Sequence, residues 1–144
     1  VATAEQQDYL WCLRETLGRS REINGLTWDD VDFKNMSVIL FTRKKKYGTK
    51  TPRVIPMTNT LYRVLSDRYK RRDPEIPWVF WHRFFFLKVG KILIGPFQDR
   101  KKFMQTLCKK AAVPGCIRQL WHQWHPERST MKDHKNIQLE QKIL

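Results

Sequence analysis

The fold is decided by residues 16–33, which read Thr16-Leu17-Gly18-Arg19-Ser20-Arg21-Glu22-Ile23-Asn24-Gly25-Leu26-Thr27-Trp28-Asp29-Asp30-Val31-Asp32-Phe33. The pattern predicts a helix that ends near Gly18, followed by a short helical turn. Arg19 and Glu22 share one face of that turn, because residues three apart are neighbours on a helix. A further turn then leads into a strand that starts near Val31. An arginine on a short, rigid turn beside an acid presents a planar fork of donors, which suits a phosphate.

The charge balance favours a polyanionic partner. The 144 residues carry 28 Lys and Arg against 14 Asp and Glu, a formal net charge of +14. Such an excess is typical of nucleic-acid-binding proteins. A membrane is not predicted as a partner, because no apolar run approaches the ~20 residues needed to span one. The cysteines at positions 12, 108 and 116 lack metal-site spacing, and we interpret them as reduced thiols of a cytosolic protein.

Residues 37–57 predict a β-hairpin with a cationic tip. A short β-branched strand, Ser37–Thr42, runs into the basic segment 43–50, and a second strand returns as residues 53–57. The alternative is a solvated tip whose lysines discourage edge pairing. We favour contacts with DNA phosphates, and the residues predicted to make them are Arg43, Lys45, Lys46, Lys50 and Arg53.

Elsewhere the pattern predicts three helices, over residues 4–17, 59–72 and 97–111. The first places Leu10, Leu13 and Leu17 on one face, with Gly18 as its C-cap. Thr58 is the expected N-cap of the second helix, and the basic residues at its end, 68–72, either stabilise the helix C-terminus or contact DNA. Residues 78–81 read as a buried strand or turn. The aromatic and basic stretch 82–91 is interpreted as a loop that packs on the domain, with stacking on nucleic-acid bases as the alternative.

Residues 19–33 resemble the first arginine motif of the tyrosine recombinases, the phage-integrase family. That motif reads roughly Gly-x-Arg-x-x-Glu-x-x-x-Leu-x-Trp-x-Asp-Val-Asp. This chain departs from it at Leu17-Gly18-Arg19, where the family usually has glycine, a large apolar residue and then arginine. The resemblance implies an α+β, mainly helical fold, with helices around a small three-stranded antiparallel sheet. It implies a single partial catalytic domain over residues 1–144.

The resemblance also implies catalytic roles. Arg19 would stabilise the transition state at the scissile phosphate. Lys44 would give a proton to the leaving 5′-oxygen, with Lys46 as the alternative because the hairpin is longer than the common form. The family's His-x-x-Arg block is matched only by His125 and Arg128, with Pro-Glu between them in place of the usual pair. No metal or cofactor is expected, since the cations take that role.

The family's nucleophile is a tyrosine that follows this second block. The tyrosines here are at positions 9, 47, 62 and 69, all upstream of the second block, so none of them matches the position of the nucleophile. We therefore interpret residues 114–144 as a degenerate or frame-disrupted tail. The predicted function is that of a DNA-binding remnant of a site-specific recombinase that is not competent alone. We expect a cytoplasmic, nucleoid-associated protein of bacterial or phage origin.

Its expected partners are double-stranded DNA and other recombinase protomers. One alternative is a non-catalytic basic nucleic-acid-binding module. Another is a nuclease that holds Mg²⁺ at Asp29, Asp30 and Asp32. We favour the metal-free interpretation, because a turn of this composition readily caps its own backbone.

Overall fold

The computed structural model describes residues 2–42, 48–98 and 100–112. Within these residues the fold is α+β, as predicted, with four α-helices and two small antiparallel sheets. The helices are α1 (Ala4–Thr16), α2 (Ser20–Asn24), α3 (Asn59–Lys70) and α4 (Lys101–Lys110). Strands β1 (Val31–Asp32), β2 (Ser37–Thr42) and β3 (Thr51–Pro56) form one sheet, and β4 (Trp81–Phe86) and β5 (Lys91–Pro96) form the other. The predicted tail, 114–144, lies outside the described residues.

One main core joins α1, α3 and the three-stranded sheet. Helix α1 places Tyr9, Cys12 and Leu13 on one face, at the spacing expected of an amphipathic helix. Strand β2 is the middle strand, and its alternate residues Val38 and Leu40 point into the core. Further buried members of the same core are Ile23, Leu26, Val31, Met57, Leu61, Leu65, Val79 and Phe80.

The helices begin where the sequence provides capping side chains. Thr3 and Gln6 form a capping box at the start of α1, in which each side chain accepts the other residue's backbone N–H. Thr58, the predicted cap of α3, accepts the Leu61 N–H at 3.1 Å. Its hydroxyl also donates to Glu15 Oε2 at 2.6 Å, which ties the start of α3 to the end of α1.

The chain leaves α1 through Leu17 and Gly18, and the structure corrects the predicted cap. Leu17 adopts the left-handed conformation at the helix end, with φ of 48°. It is therefore exposed, although the pattern placed it on the buried face of the helix. Gly18 serves a different purpose, because a Cβ there would lie 2.9 Å from Ile23 Cδ1 and 2.9 Å from Leu40 Cδ1. Gly18 thus lets α2 approach β2 closely.

The prediction of a packing loop at residues 82–91 is wrong, because β4 and β5 form a β-hairpin there. Their register runs from Trp81 opposite Pro96 to Phe86 opposite Lys91, and Gly90 takes a left-handed φ of 63° in the turn. Because residues 91–96 are in a strand, α4 starts at Lys101 and not near residue 97. Apolar residues on both faces hid the strand pattern, since the usual alternation of apolar and polar residues is missing.

The cysteine interpretation is confirmed in part. Cys12 is a free, buried thiol, whereas Cys108 is disulfide-bonded, which contradicts the expectation of a reduced thiol there. Among the described helices, none is long and apolar enough to cross a membrane.

Candidate nucleic-acid interface

A buried carboxylate, Glu22, organises the surface around Arg19. Its side chain is 6% exposed, and its two oxygens accept hydrogen bonds from three segments of the chain. Oε2 accepts the Arg19 backbone N–H at 3.0 Å and Arg53 Nη2 at 3.2 Å. Oε1 accepts the Thr42 hydroxyl at 2.8 Å and lies 4.0 Å from Arg19 Nη1. We call these four residues (Arg19, Glu22, Thr42 and Arg53) the Glu22 cluster.

Arg19 is held at its main chain while its head group stays accessible. It is the N-cap residue of α2, with extended φ and ψ of −74° and 150°. The Glu22 carboxylate, three residues on, satisfies one of the free N–H groups at the helix start. The Arg19 side chain is 50% exposed. Its guanidinium therefore lies beside a buried negative charge and faces solvent with its remaining donors.

Arg53 enters the same cluster from strand β3. It lies opposite Leu40 in the β2–β3 register, so both side chains project from the sheet face that meets α2. The Arg53 side chain is 46% exposed and reaches Glu22. The sequence placed Arg19 and Arg53 in separate motifs, and the fold brings them onto one carboxylate.

Thr42 is a member of the cluster that the sequence reading missed. It ends β2, one residue before the basic segment, and shares the face of Leu40. That alternation was the available signal, since it directs the Thr42 hydroxyl toward the side that Arg19 and Glu22 occupy. Lys50 precedes β3 and is exposed, and its contact with a phosphate stays a prediction.

Several predicted site residues lie outside the described ranges. These are Arg43, Lys44, Lys45 and Lys46 in the hairpin tip, together with His125 and Arg128. Their roles stay predictions. The described chain reaches both ends of the tip, through Thr42 in the Glu22 cluster and through exposed Lys50.

The three described tyrosines differ in burial: Tyr9 lies in the core, whereas Tyr62 and Tyr69 are each 37% exposed. Tyr9 is fully buried and contacts Phe80 and Phe103 edge-on. The rings of Tyr62 and Tyr69 pack edge-on against Phe33. Tyr69 also carries the Arg72 guanidinium 3.4 Å from its ring centre. Their contacts are structural.

The acidic turn after α2 uses its carboxylates on its own backbone. Asp30 Oδ2 accepts the Thr27 N–H at 3.0 Å and the Thr27 hydroxyl at 2.7 Å. Asp32 accepts the Asn35 N–H and side-chain amide, and these bonds lower the pKa of the Asp32 carboxyl below its usual value. Across the described ranges no cluster of three or more metal-ligating side chains is found.

The end of α3 is basic for structural reasons. The Arg68 guanidinium donates to the Val79 carbonyl at 2.7 Å, lies over the Phe80 ring and pairs with Asp8 and Glu5 of α1. This position fits the alternative in which the cations at the helix C-terminus stabilise the fold. We therefore do not count it with the exposed pair Arg19 and Arg53.

Comparison with known proteins agrees with the motif around Arg19. The family model described as the phage integrase family matches residues 2–126. The chain belongs to the phage integrase family. The match includes α1 and the Glu22 cluster, so the tyrosine-recombinase resemblance at residues 19–33 is confirmed. No curated protein is significantly similar to this integrase-family chain in sequence.

Two solved structures share the fold of this phage-integrase chain. One is the Tn1549 transposon integrase in complex with circular intermediate DNA, with a TM-score of 0.52 and 24% identity over 73% of this chain. The other is an arginine-to-lysine variant of that integrase with another circular intermediate DNA, with a TM-score of 0.52 and 22% identity over 73% of this chain. The chain covers 38% and 37% of their lengths.

Proposed function

We propose that this chain binds duplex DNA through its phosphate backbone, with Arg19 and Arg53 as paired contacts beside a scissile phosphate. The observation that carries the proposal is the Glu22 cluster. One buried carboxylate accepts a hydrogen bond from the Arg53 guanidinium and from the Arg19 backbone N–H, and the Arg19 guanidinium lies 4.0 Å away; both arginine side chains are about half exposed. Two positive charges against one negative charge leave a net positive surface. Arginine forks held in this way suit bidentate contacts with phosphate oxygens.

The chemistry proposed for the site follows the family roles on the matching residues. Arg19 stabilises the charge that develops on the phosphate in the transition state. Lys44, with Lys46 as the alternative, supplies a proton to the leaving 5′-oxygen. His125 and Arg128 complete the charge stabilisation. In support, the Glu22 cluster contains Thr42, which leads directly into the segment with Lys44. The DNA-bound state of the Tn1549 integrase, which has the same fold, supports DNA as the partner.

We further propose that this chain does not cleave DNA alone. Covalent catalysis requires an accessible nucleophile at the reacting phosphate. Among the described tyrosines Tyr9 is fully buried, and Tyr62 and Tyr69, each 37% exposed, lie upstream of the second block and not at the position of the family's nucleophile. The chain then contributes phosphate binding, and a second recombinase protomer supplies the tyrosine in trans. This work would take place in the cytoplasm, where bacterial and phage DNA lies.

A salt titration of DNA binding tests the phosphate contacts. For a duplex, log K falls against log salt with a slope of roughly −0.9 per phosphate neutralised. Arg19→Ala and Arg53→Ala should each weaken binding and make the slope shallower by about 0.9. Arg19→Lys should keep the slope and still weaken binding, because the charge remains while the fork is lost. Arg63→Ala, an exposed arginine on α3, is the matched control.

Two results would contradict the proposal. Equal slopes for the Arg19, Arg53 and Arg63 variants would mean that the Glu22 cluster does not face the backbone. Tighter binding to a structured RNA than to duplex DNA would favour the alternative of a general nucleic-acid-binding module.

The absence of self-sufficient cleavage is tested with a nicked, labelled suicide duplex. A protein–DNA band that survives denaturation would show a covalent adduct, and it would overturn the requirement for a tyrosine in trans. The expected result is a native gel shift that salt abolishes, with no denaturation-resistant band. Adding a recombinase that carries its own tyrosine should then produce the covalent band.

A further inference from the structure

The β4–β5 hairpin carries apolar side chains on both faces. On one face Phe85, Ile92 and Ile94 are exposed, and Ile92 is 68% accessible. On the other face Phe86 and Leu93 are also exposed. The most exposed of the large apolar side chains is Leu87 in the turn, at 87%. We call residues 81–96 the ribbon.

The ribbon is also a sheet of only two strands, so β4 and β5 each keep an edge that no described strand covers. A lone two-stranded hairpin is marginally stable in water. Exposed apolar patches of this kind usually mark a surface that a partner covers. At its base the ribbon is anchored by His82, whose ring stacks on Phe97 with centres 4.3 Å apart.

Charge identifies the chemistry of the partner. The sequence has no Asp or Glu between Glu75 and Asp99, while the ribbon carries Arg83, Lys88 and Lys91. Cations without carboxylates suit a polyanion. A second copy of this chain would bring the same three cations and a net charge of +14 against them, which disfavours direct pairing of two ribbons.

We propose that the ribbon is a second DNA contact, separate from the Glu22 cluster, which lies along a groove and inserts Leu87 between base pairs. Six residues per strand give the ribbon a reach of about 20 Å, enough to follow a groove. Lys88 and Lys91 bind phosphates, and Leu87 with Val89 forms an apolar wedge. Such wedges unstack a base step and kink the duplex. The proposal rests on the proposed DNA binding and adds a deforming contact to it.

The test compares two kinds of ribbon variant in the full chain. The first is Leu87→Ala with Val89→Ala, which removes the wedge and keeps every charge. The second is Lys88→Ala with Lys91→Ala, which removes charge and keeps the wedge. Controls are Val54→Ala, an exposed apolar residue on β3, and Lys70→Ala with Lys102→Ala, two exposed lysines on α3 and α4. Far-UV circular dichroism checks that each variant keeps its fold.

The readouts are affinity, its salt slope and the bend of an end-labelled duplex measured by energy transfer. Wild type should bend the duplex. The wedge variant should raise Kd about tenfold and lose the bend, because it removes the apolar contact with the bases. Its salt slope should stay the same, because it removes no charge. The lysine variant should make the slope shallower by about 1.8, the value for two phosphates. The control variants should keep the bend.

Three results would overturn the inference. A wedge variant that binds and bends like wild type would show that Leu87 does not insert. A protein that self-associates without DNA in sedimentation, and loses this association in the wedge variant, would assign the ribbon to a second copy. If Arg19→Ala weakens binding while both ribbon variants match wild type, the ribbon inference fails and the proposed function stands. If wild type does not bind duplex DNA, both fail.

Discussion

The Glu22 cluster can be tested by removing its charge while keeping its shape, with Glu22→Gln. In the structure Oε2 faces two donors, the Arg19 N–H and Arg53 Nη2, while Oε1 faces the Thr42 hydroxyl. A glutamine can place its oxygen toward the first two. Its amide then meets Thr42, whose hydroxyl can turn and accept. Because the variant keeps the hydrogen-bond geometry, its loss of unfolding free energy measures the contribution of the negative charge.

The magnitude follows from that arrangement. Hydrogen bonds to a charged group contribute about 1.5–3 kcal/mol and neutral ones about 0.5–1.5 kcal/mol. The bonds from the Arg19 N–H and the Thr42 hydroxyl become neutral in the glutamine variant, so each loses about 1 kcal/mol, whereas the Arg53 bond keeps its charged donor. Both arginines are about half exposed, and solvent screening reduces the total for Glu22→Gln to about 1 kcal/mol of unfolding free energy. Glu22→Ala should cost about 2–4 kcal/mol, because it leaves a backbone N–H and a hydroxyl without an acceptor.

Urea denaturation at neutral pH measures both values. Asp67→Asn is the matched control, since Asp67 is exposed and pairs with Lys70 on the surface of α3. It should change the free energy of unfolding by less than about 0.5 kcal/mol. The reasoning is refuted if Glu22→Ala costs no more than Asp67→Asn, or if the glutamine variant costs more than the alanine variant.

Three further predictions concern the surroundings of the cluster. Gly18→Ala should lower the free energy of unfolding by about 1–3 kcal/mol in urea denaturation, because the new methyl group would meet the buried end of Leu40; an unchanged midpoint would contradict the close approach. The Asn35 bonds lower the pKa of Asp32 below its ordinary value of 3.8, so Asp32→Asn should be less stable than wild type above that pH. The difference should vanish as acid protonates the wild-type carboxyl, and denaturation curves at neutral and acidic pH that differ by the same amount would count against it. Burial raises the pKa of the Cys12 thiol far above its usual value of 9.0, so peptide mapping should find Cys12 unalkylated in the native protein and alkylated in urea; fast native alkylation would show that α1 opens.

The parts of the fold that local signals control were predictable. Thr58 was identified as the cap of α3, and the β2–β3 pairing follows from two β-branched runs around a glycine-bearing tip. Both depend on residues close together in sequence, where capping and turn preferences act. The family resemblance at residues 19–33 supplied the α+β class.

The ribbon and the full Glu22 cluster were not predictable in the same way. Strand β4 contains three successive phenylalanines, so it lacks the alternation that distinguishes a half-buried strand from a loop. Arg53 lies 31 residues from Glu22 along the chain, and their pairing depends on how α2 packs against the face of the β2–β3 hairpin. That packing is a tertiary contact, which no local pattern contains.

The turn at Leu17 and Gly18 has a consequence for the order in which mutations can accumulate. Position 17 needs a residue that tolerates a left-handed backbone, and position 18 needs one without a Cβ. Glycine satisfies both demands, so a lineage can acquire glycine at position 17 while keeping glycine at position 18. The reverse order, in which position 18 changes first, passes through an intermediate whose new Cβ would lie 2.9 Å from the side chains of Ile23 on α2 and Leu40 on β2. Exchange between the family's usual order and the order found here is therefore less costly through a Gly-Gly intermediate.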